Sequence, residues 1–190
     1  MLKDFKPDLE KCLETLAHNG IILYPTDTIW GLGCDATNEK AVERIIQLKR
    51  RPAEKSFVVL VATENDILKY TASPDMEVFN FLEMQDRPVT VIYQHAIGIA
   101  ENAIAINGSV AIRICKDPFC KALIRRFGKP LLSTSANFSG EKAPAIFPEI
   151  NHQIMEGVDY TVQYRQDDLK PAQASMIIQW EQGTAKIIRN

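Results

Sequence analysis

Hydroxyls, a carboxylate and two glycines are crowded into Tyr24-Pro25-Thr26-Asp27-Thr28-Ile29-Trp30-Gly31-Leu32-Gly33-Cys34-Asp35-Ala36. This run follows the apolar segment Gly20-Ile21-Ile22-Leu23 and precedes a helical pattern, and connections held between two such elements are where binding chemistry tends to sit. Pro25 lacks an amide donor and fixes φ, while Gly31 and Gly33 permit backbone shapes closed to other residues. The segment is therefore expected to be a shaped loop rather than a longer strand. A second group is the basic run Lys49, Arg51 and Lys55. It falls at a predicted helix C-terminus, which favours cations through the helix dipole, so it is either a solvated helix end or an anion site.

The third group is Ser133-Thr134-Ser135-Ala136-Asn137-Phe138-Ser139-Gly140, directly after Leu131 and Leu132. Such residues form turns and caps, but at the end of a strand they also offer donors that surround an anion, for which a phosphate is the natural guest. Arg113 interrupts the apolar strand pattern of residues 110–114. A buried charge there needs a partner. Either it faces outward as a surface residue, or it faces a cleft and holds a carboxylate or phosphate through its fork of N–H groups. Ser175 and Arg189 carry the same two readings.

These groups need elements to position them. Leu9, Cys12, Leu13, Leu16 and Ala17 predict a helix over 8–19, with Asp8 as N-cap and Gly20 as stop. A strand follows at 21–24. Asn38 is expected to cap a helix carrying the stripe Ala41, Val42, Ile45, Ile46 and Leu48. A strand at 57–61, helices at 63–70 and 74–84, and strands at 89–93 and 110–114 come next, with an apolar segment near 103–106 between the last two. Asp117 caps a helix over 118–127 that Gly128 ends. A strand at 131–132, a short helix near 149–155 and a strand at 158–162 precede a closing hairpin, residues 175–178 and 186–188, turning at Glu181-Gln182-Gly183. Interleaved helices and strands with a hairpin predict a mixed α/β sheet in a single domain over residues 1–190.

Composition excludes several classes. The 190 residues are 46% hydrophobic and 24% charged, with no apolar run near the roughly 20 residues that cross a membrane. Met1-Leu2-Lys3-Asp4-Phe5 has no signal-peptide core, so a cytoplasmic protein with no membrane partner is expected. Cys12, Cys34, Cys115 and Cys120 form no C-x-x-C pair, and His18, His95 and His152 are scattered, which argues against a zinc site or a disulfide framework. A net charge of -2 exerts no general pull on nucleic acid.

Taken together, Pro25-Thr26-Asp27-Thr28 with Gly31-Leu32-Gly33, the K-x-R-P run Lys49-Arg50-Arg51-Pro52, Val110-Ala111-Ile112-Arg113 and Ser133-Thr134-Ser135-Ala136-Asn137-Phe138-Ser139-Gly140 resemble the YrdC family of threonylcarbamoyl-adenylate synthases. The motifs occur in the family's order and, with Ser175 and Arg189, span nearly the whole chain. Trp30 stands where Tyr is frequent, Leu60 where some members carry His, and Met84-Gln85-Asp86-Arg87-Pro88 where many carry W-P-G-P. The resemblance implies a YrdC-like twisted open mixed β-sheet with flanking helices and a basic cleft. It implies condensation of L-threonine, bicarbonate and ATP, with Mg²⁺ accompanying the nucleotide and no metal ligand from side chains.

The product, threonylcarbamoyl-AMP, would serve tRNA adenosine modification through downstream threonylcarbamoyl-transfer proteins. Carried over residue by residue, Lys49 and Arg51 would be catalytic. Arg51, Lys55, Ser109, Ser135, Asn137, Ala143 and Arg189 would hold ATP, and Thr28, Arg113, Ser133 and Ser175 would hold threonine. The family cleft also implies an RNA partner, tRNA or double-stranded RNA, and the basic residues Arg113, Lys116, Lys121, Arg125, Arg126 and Lys129 could attract a phosphate backbone. An RNA-binding module without catalysis is one alternative, although aromatics for base stacking are not interleaved there. A related carbamoyl-adenylate enzyme with another substrate is the second.

Overall fold

The computed structural model describes residues 4–50 and 57–190. Helix α1, Lys6–Ala17, begins earlier than its apolar periodicity suggests, because Pro7 suits the first helical turn and Phe5 takes the cap position. Asp8 is consequently not the N-cap. Its buried carboxylate accepts from the Tyr160 hydroxyl (2.6 Å) and from the backbone N–H groups of Gln163 (2.8 Å) and Tyr164 (2.9 Å), tying the helix to a distant segment.

Strand β1, Ile22–Tyr24, is followed after a six-residue loop by β2, Gly31–Asp35. The expectation of loop structure through Gly33 is thus wrong: β2 is fully buried and pairs antiparallel with β1, Ile22 opposite Gly33 and Tyr24 opposite Gly31. The glycines serve close approach instead of turning. A Cβ at Gly33 would stand 2.6 Å from Tyr24 Cε1, within a ring that is itself fully buried. Gly33→Ala is therefore expected to destabilise the fold by about 1–3 kcal/mol, measured as a lowered denaturation midpoint at unchanged slope.

Helix α2, Glu39–Lys49, is capped by Asn38, whose side chain accepts from Lys40 and Ala41 N–H, and it ends at Arg50 in the left-handed region. Strand β3 (Val58–Val61), helix α3 (Glu64–Tyr70) with its Thr63/Asp66 capping box, helix α4 (Glu77–Glu83) and strand β4 (Val89–Tyr93) follow. The apolar segment before β5, Val110–Ile114, holds a single 3-10 turn at Glu101–Ala103. Helix α5, Pro118–Phe127, is capped by Asp117 and stopped by Gly128 at φ 74. Strand β6 runs Leu131–Ser135, three residues further into the hydroxyl-rich segment than its apolar start implies. Helix α6 (His152–Glu156) and strand β7 (Tyr160–Thr161) lead to the hairpin of β8, Met176–Glu181, and β9, Thr184–Arg189. Gln182 and Gly183 both have positive φ, the geometry that suits tight hairpin turns.

Among the described residues the strands form one open mixed sheet in the order β7-β1-β2-β6-β3-β5-β4-β8-β9. Helices α1 and α5 pack together, α2 packs on β2, and α3 and α5 pack on β3. No described helix is long and apolar enough to cross a membrane. All four cysteines are free and buried.

Candidate active site

The central neighbours β2, β6, β3 and β5 bring the three chemical groups to one place. Gly31 lies opposite Ser135, Ser133 opposite Val58, and Leu60 beside Arg113. Around these ends lies a cleft of about 230 Å³. That is below the roughly 300–1,000 Å³ of pockets that enclose a drug-sized ligand, so it suits one small molecule or one end of a larger one. Its polar lining includes Thr26, Thr28, Arg113, Ser133, Thr134, Ser135, Ser175 and Arg189, and Trp30, Phe57, Val58, Ala143 and Ile177 contribute apolar wall.

The loop from Pro25 to Trp30 is held from both sides. Thr26 Oγ1 donates to the Ile29 carbonyl (2.8 Å), accepts from Thr28 N–H (3.0 Å) and meets Thr28 Oγ1 at 2.9 Å. From outside, Cys120 Sγ reaches the Pro25 carbonyl at 3.2 Å and an Arg165 N–H donates to the Thr26 carbonyl at 3.3 Å. Burial pushes the Cys120 thiol well up, which keeps it an S–H donor at neutral pH. Arg165 is also paired with Asp117 at 3.0 Å, so the loop is tied to the cap of α5. Trp30 rests on Phe147, ring centroids 4.7 Å apart.

Arg113 faces inward. Its side chain is 6% exposed and pairs with Asp27, 8% exposed, at 3.2 Å, and Asp27 is fixed by the Lys116 N–H at 2.9 Å. Arg113 Nε remains buried without a hydrogen-bond partner among the described residues. Arg189 reaches the cleft from β9 and donates to the Ser175 carbonyl at 3.0 Å. A bulge beside Ile177 and Ile178 sets Arg189 opposite Ile177. Burial first, then the nearby Arg113 charge, hold Arg189 below its ordinary pKa. Two guanidiniums and one carboxylate in a partly buried cleft favour an anionic guest.

Thr28, Arg113, Ser133, Ser135, Ala143, Ser175 and Arg189 are thus brought together around one cleft. Ser109 is not among them; its hydroxyl donates to Asn107 Oδ1 at 2.7 Å. Lys49 and Asn137 stand behind the wall. Lys49 is 1% exposed and no solvated helix end: its ammonium donates to the Ser135 and Asn137 carbonyls, each at 2.5 Å. Asn137 in turn donates to the carbonyls of Phe138 (3.0 Å) and Glu141 (2.7 Å). Arg51 and Lys55 lie outside the described residues.

Sequence reasoning left out Asp27 as the counter-charge of Arg113 and Thr26 as a cleft residue; the Thr-x-Thr spacing carried the second signal. Three of the basic residues from 116 to 129 are engaged by neighbours. Arg126 pairs with Glu10 at 2.6 Å, Lys129 with Asp35 at 2.6 Å, and Lys116 donates to the Gln85 carbonyl at 2.7 Å.

The family model Sua5_yciO_yrdC, described as "Telomere recombination", matches residues 14–190. The chain belongs to the Sua5/YciO/YrdC family. Among relatives of this family, "Threonylcarbamoyl-AMP synthase" of Saccharophagus degradans is 37% identical over 140 residues, 72% of each chain. The protein of the same name from Idiomarina loihiensis is 35% identical over 144 residues, 74% of this chain and 77% of its own. Of solved structures, P. abyssi Sua5 complexed with L-threonine superposes with a TM-score of 0.84 at 19% identity, covering 95% of this chain and 53% of that one. This chain therefore spans about half the length of that Sua5. E. coli YciO superposes at 0.81 with 20% identity, covering 97% and 89%. These superpositions establish the YrdC-type fold of the sheet.

Proposed function

We propose that this protein condenses L-threonine, bicarbonate and ATP into L-threonylcarbamoyladenylate and pyrophosphate. The observation that carries the reading is Arg113: buried in the cleft wall, half engaged by Asp27 and with Nε unpartnered, it has capacity left for an amino-acid carboxylate. The hydroxyls of Thr28, Ser133 and Ser175 surround the same space and offer donors and acceptors to an amine and a side-chain hydroxyl. The names of the relatives support the same chemistry.

Threonine's neutral amine adds to bicarbonate with loss of water and becomes a carbamate. A carbamate oxygen then forms a bond to the α-phosphorus of ATP as the bond to the departing pyrophosphate breaks. Two anions must meet. At about 4 Å and an effective dielectric near 20, one like-charge pair costs about 4 kcal/mol, so cations must border the path. Arg113 and Arg189 meet that need, with Ser135 and the wall at Ala143 beside the nucleotide. Arg51 and Lys55 are proposed for the phosphates on the resemblance alone.

Mg²⁺ bound through the phosphates is proposed on the resemblance alone. Mg²⁺ would neutralise phosphate charge there. No side chain need form a covalent bond, and rate would come from positioning and charge stabilisation. The mixed anhydride is labile, so a transfer protein must consume it; tRNA adenosine is the expected final acceptor.

Purified protein given ATP, bicarbonate and Mg²⁺ is expected to release pyrophosphate only when L-threonine is added. Absence of that dependence would reject the reading, and equal turnover with other amino acids would leave adenylate chemistry with a different substrate.

A further inference from the structure

Ser175 Oγ lies 2.8 Å from Thr90 Oγ1, and both hydroxyls are buried. Thr90 sits in β4 with no exposed surface, at a position where valine would satisfy the packing of a strand equally well. A hydroxyl kept in such a place costs free energy unless it is hydrogen-bonded. Its partner lines the cleft, whereas Thr90 stands behind it.

We propose that Thr90 is a positioning residue for the amino-acid end of the cleft, acting through Ser175. Either hydroxyl of the pair can be the donor; the role assigned to Thr90 is to donate to Ser175 Oγ, which fixes the serine rotamer and leaves the proton of Ser175 for an oxygen of bound L-threonine. This rests on the reading that the cleft takes L-threonine. Serine has little steric preference among its staggered rotamers, so an internal partner is what orients it. The surrounding backbone is already fixed: Met176 N–H donates to the Pro88 carbonyl at 3.1 Å, and Arg189 occupies the Ser175 carbonyl. Parallel pairing of β4 with β8, Val89 beside Met176 and Thr90 beside Ile177, brings these distant residues into register. The Thr90 hydroxyl completes that arrangement by setting χ1 of Ser175.

The test is a set of steady-state measurements of pyrophosphate release with Thr90→Val, Thr90→Ala, Thr90→Ser, Ser175→Ala and the Thr90→Val/Ser175→Ala double variant, each with its melting temperature. Loss of one neutral hydrogen bond should raise the threonine KM of Thr90→Val about five- to tenfold. The ATP KM and kcat should stay within about twofold of wild type, the pattern of lost amino-acid binding. Thr90→Ser should recover wild-type behaviour, and Thr90→Val should add nothing in the Ser175→Ala background. Thr90→Ala supplies the same readout if the valine variant does not fold. An unchanged threonine KM in a folded hydroxyl-free variant, parallel shifts for both substrates, or independent effects in the double variant would overturn the proposal. A wild-type protein without threonine-dependent turnover would reject the functional reading and this inference with it; wild-type turnover with an indifferent Thr90→Val would reject this inference alone.

Discussion

Arg113→Ala is expected to lower threonine-dependent pyrophosphate release by about 10²–10³-fold, the usual cost of removing one well-placed charged donor from a reaction site. The effect should fall mainly on the threonine dependence. The substitution also leaves Asp27 buried without its cation, since the two side chains are 6% and 8% exposed at 3.2 Å. Breaking a buried pair from one side costs about 3–5 kcal/mol, so the melting temperature should fall as well. Two further variants separate these effects. Arg113→Lys keeps the charge but loses the planar fork, and is expected to regain stability without regaining the threonine KM. Arg113→Ala combined with Asp27→Asn removes the stranded carboxylate and should recover part of the stability while turnover stays low. Full activity in Arg113→Ala would remove this residue from the mechanism.

Lys49→Met is expected to lower stability and turnover together. The methionine keeps the length of the buried stem, but the Ser135 and Asn137 carbonyls lose the ammonium that they share. The Ser135 carbonyl keeps the Asn137 N–H at 3.0 Å, so the Asn137 carbonyl is the acceptor left orphaned, and a loss of about 1–3 kcal/mol should appear as a lowered denaturant midpoint. Turnover should fall because Ser135 lines the cleft. A lysine that served only as a phosphate ligand would behave differently: its replacement by a neutral residue would leave the fold intact or firmer while activity fell. Chemical denaturation and initial rates on the same preparation distinguish the two.

The contrast between Arg113 and Lys49 marks what could be read in the chain. Local chemistry was legible: Asn38 and Asp117 as caps, Gly128 as a stop and Gln182-Gly183 as a turn all rest on contacts within a few residues. Most strand and helix positions followed from periodicity for the same reason. Strand β2 was not legible, because Gly31 and Gly33 weaken every strand signal and their use, room for Tyr24 and for β6, exists only once distant segments pair. For Lys49 the local pattern left a solvated helix end and an anion site both open, and the resemblance implied a catalytic role, because nothing near it announces the carbonyls of Ser135 and Asn137 that bury it. Arg113 posed a choice of faces that only Asp27, on another loop, decides. Thr28, Ser133, Ser135, Ala143, Ser175 and Arg189, which the resemblance named as substrate contacts, line one cleft, whereas the Ser109 hydroxyl bonds within its own loop.

The bulge that sets Arg189 opposite Ile177 also has a temporal side. Ser175, Ile177 and Arg189 follow every other cleft residue in chain order, yet they complete a site whose first wall is Thr26 and Thr28. During synthesis the chain emerges N-terminal end first, at about 5–20 residues per second, and a domain generally folds as a unit. Until β9 has emerged, the cleft lacks its second guanidinium. Competence to bind both substrates would therefore arrive late, with the docking of β9, and a nascent chain stalled before that strand would carry most of the cleft's residues but lack Arg189.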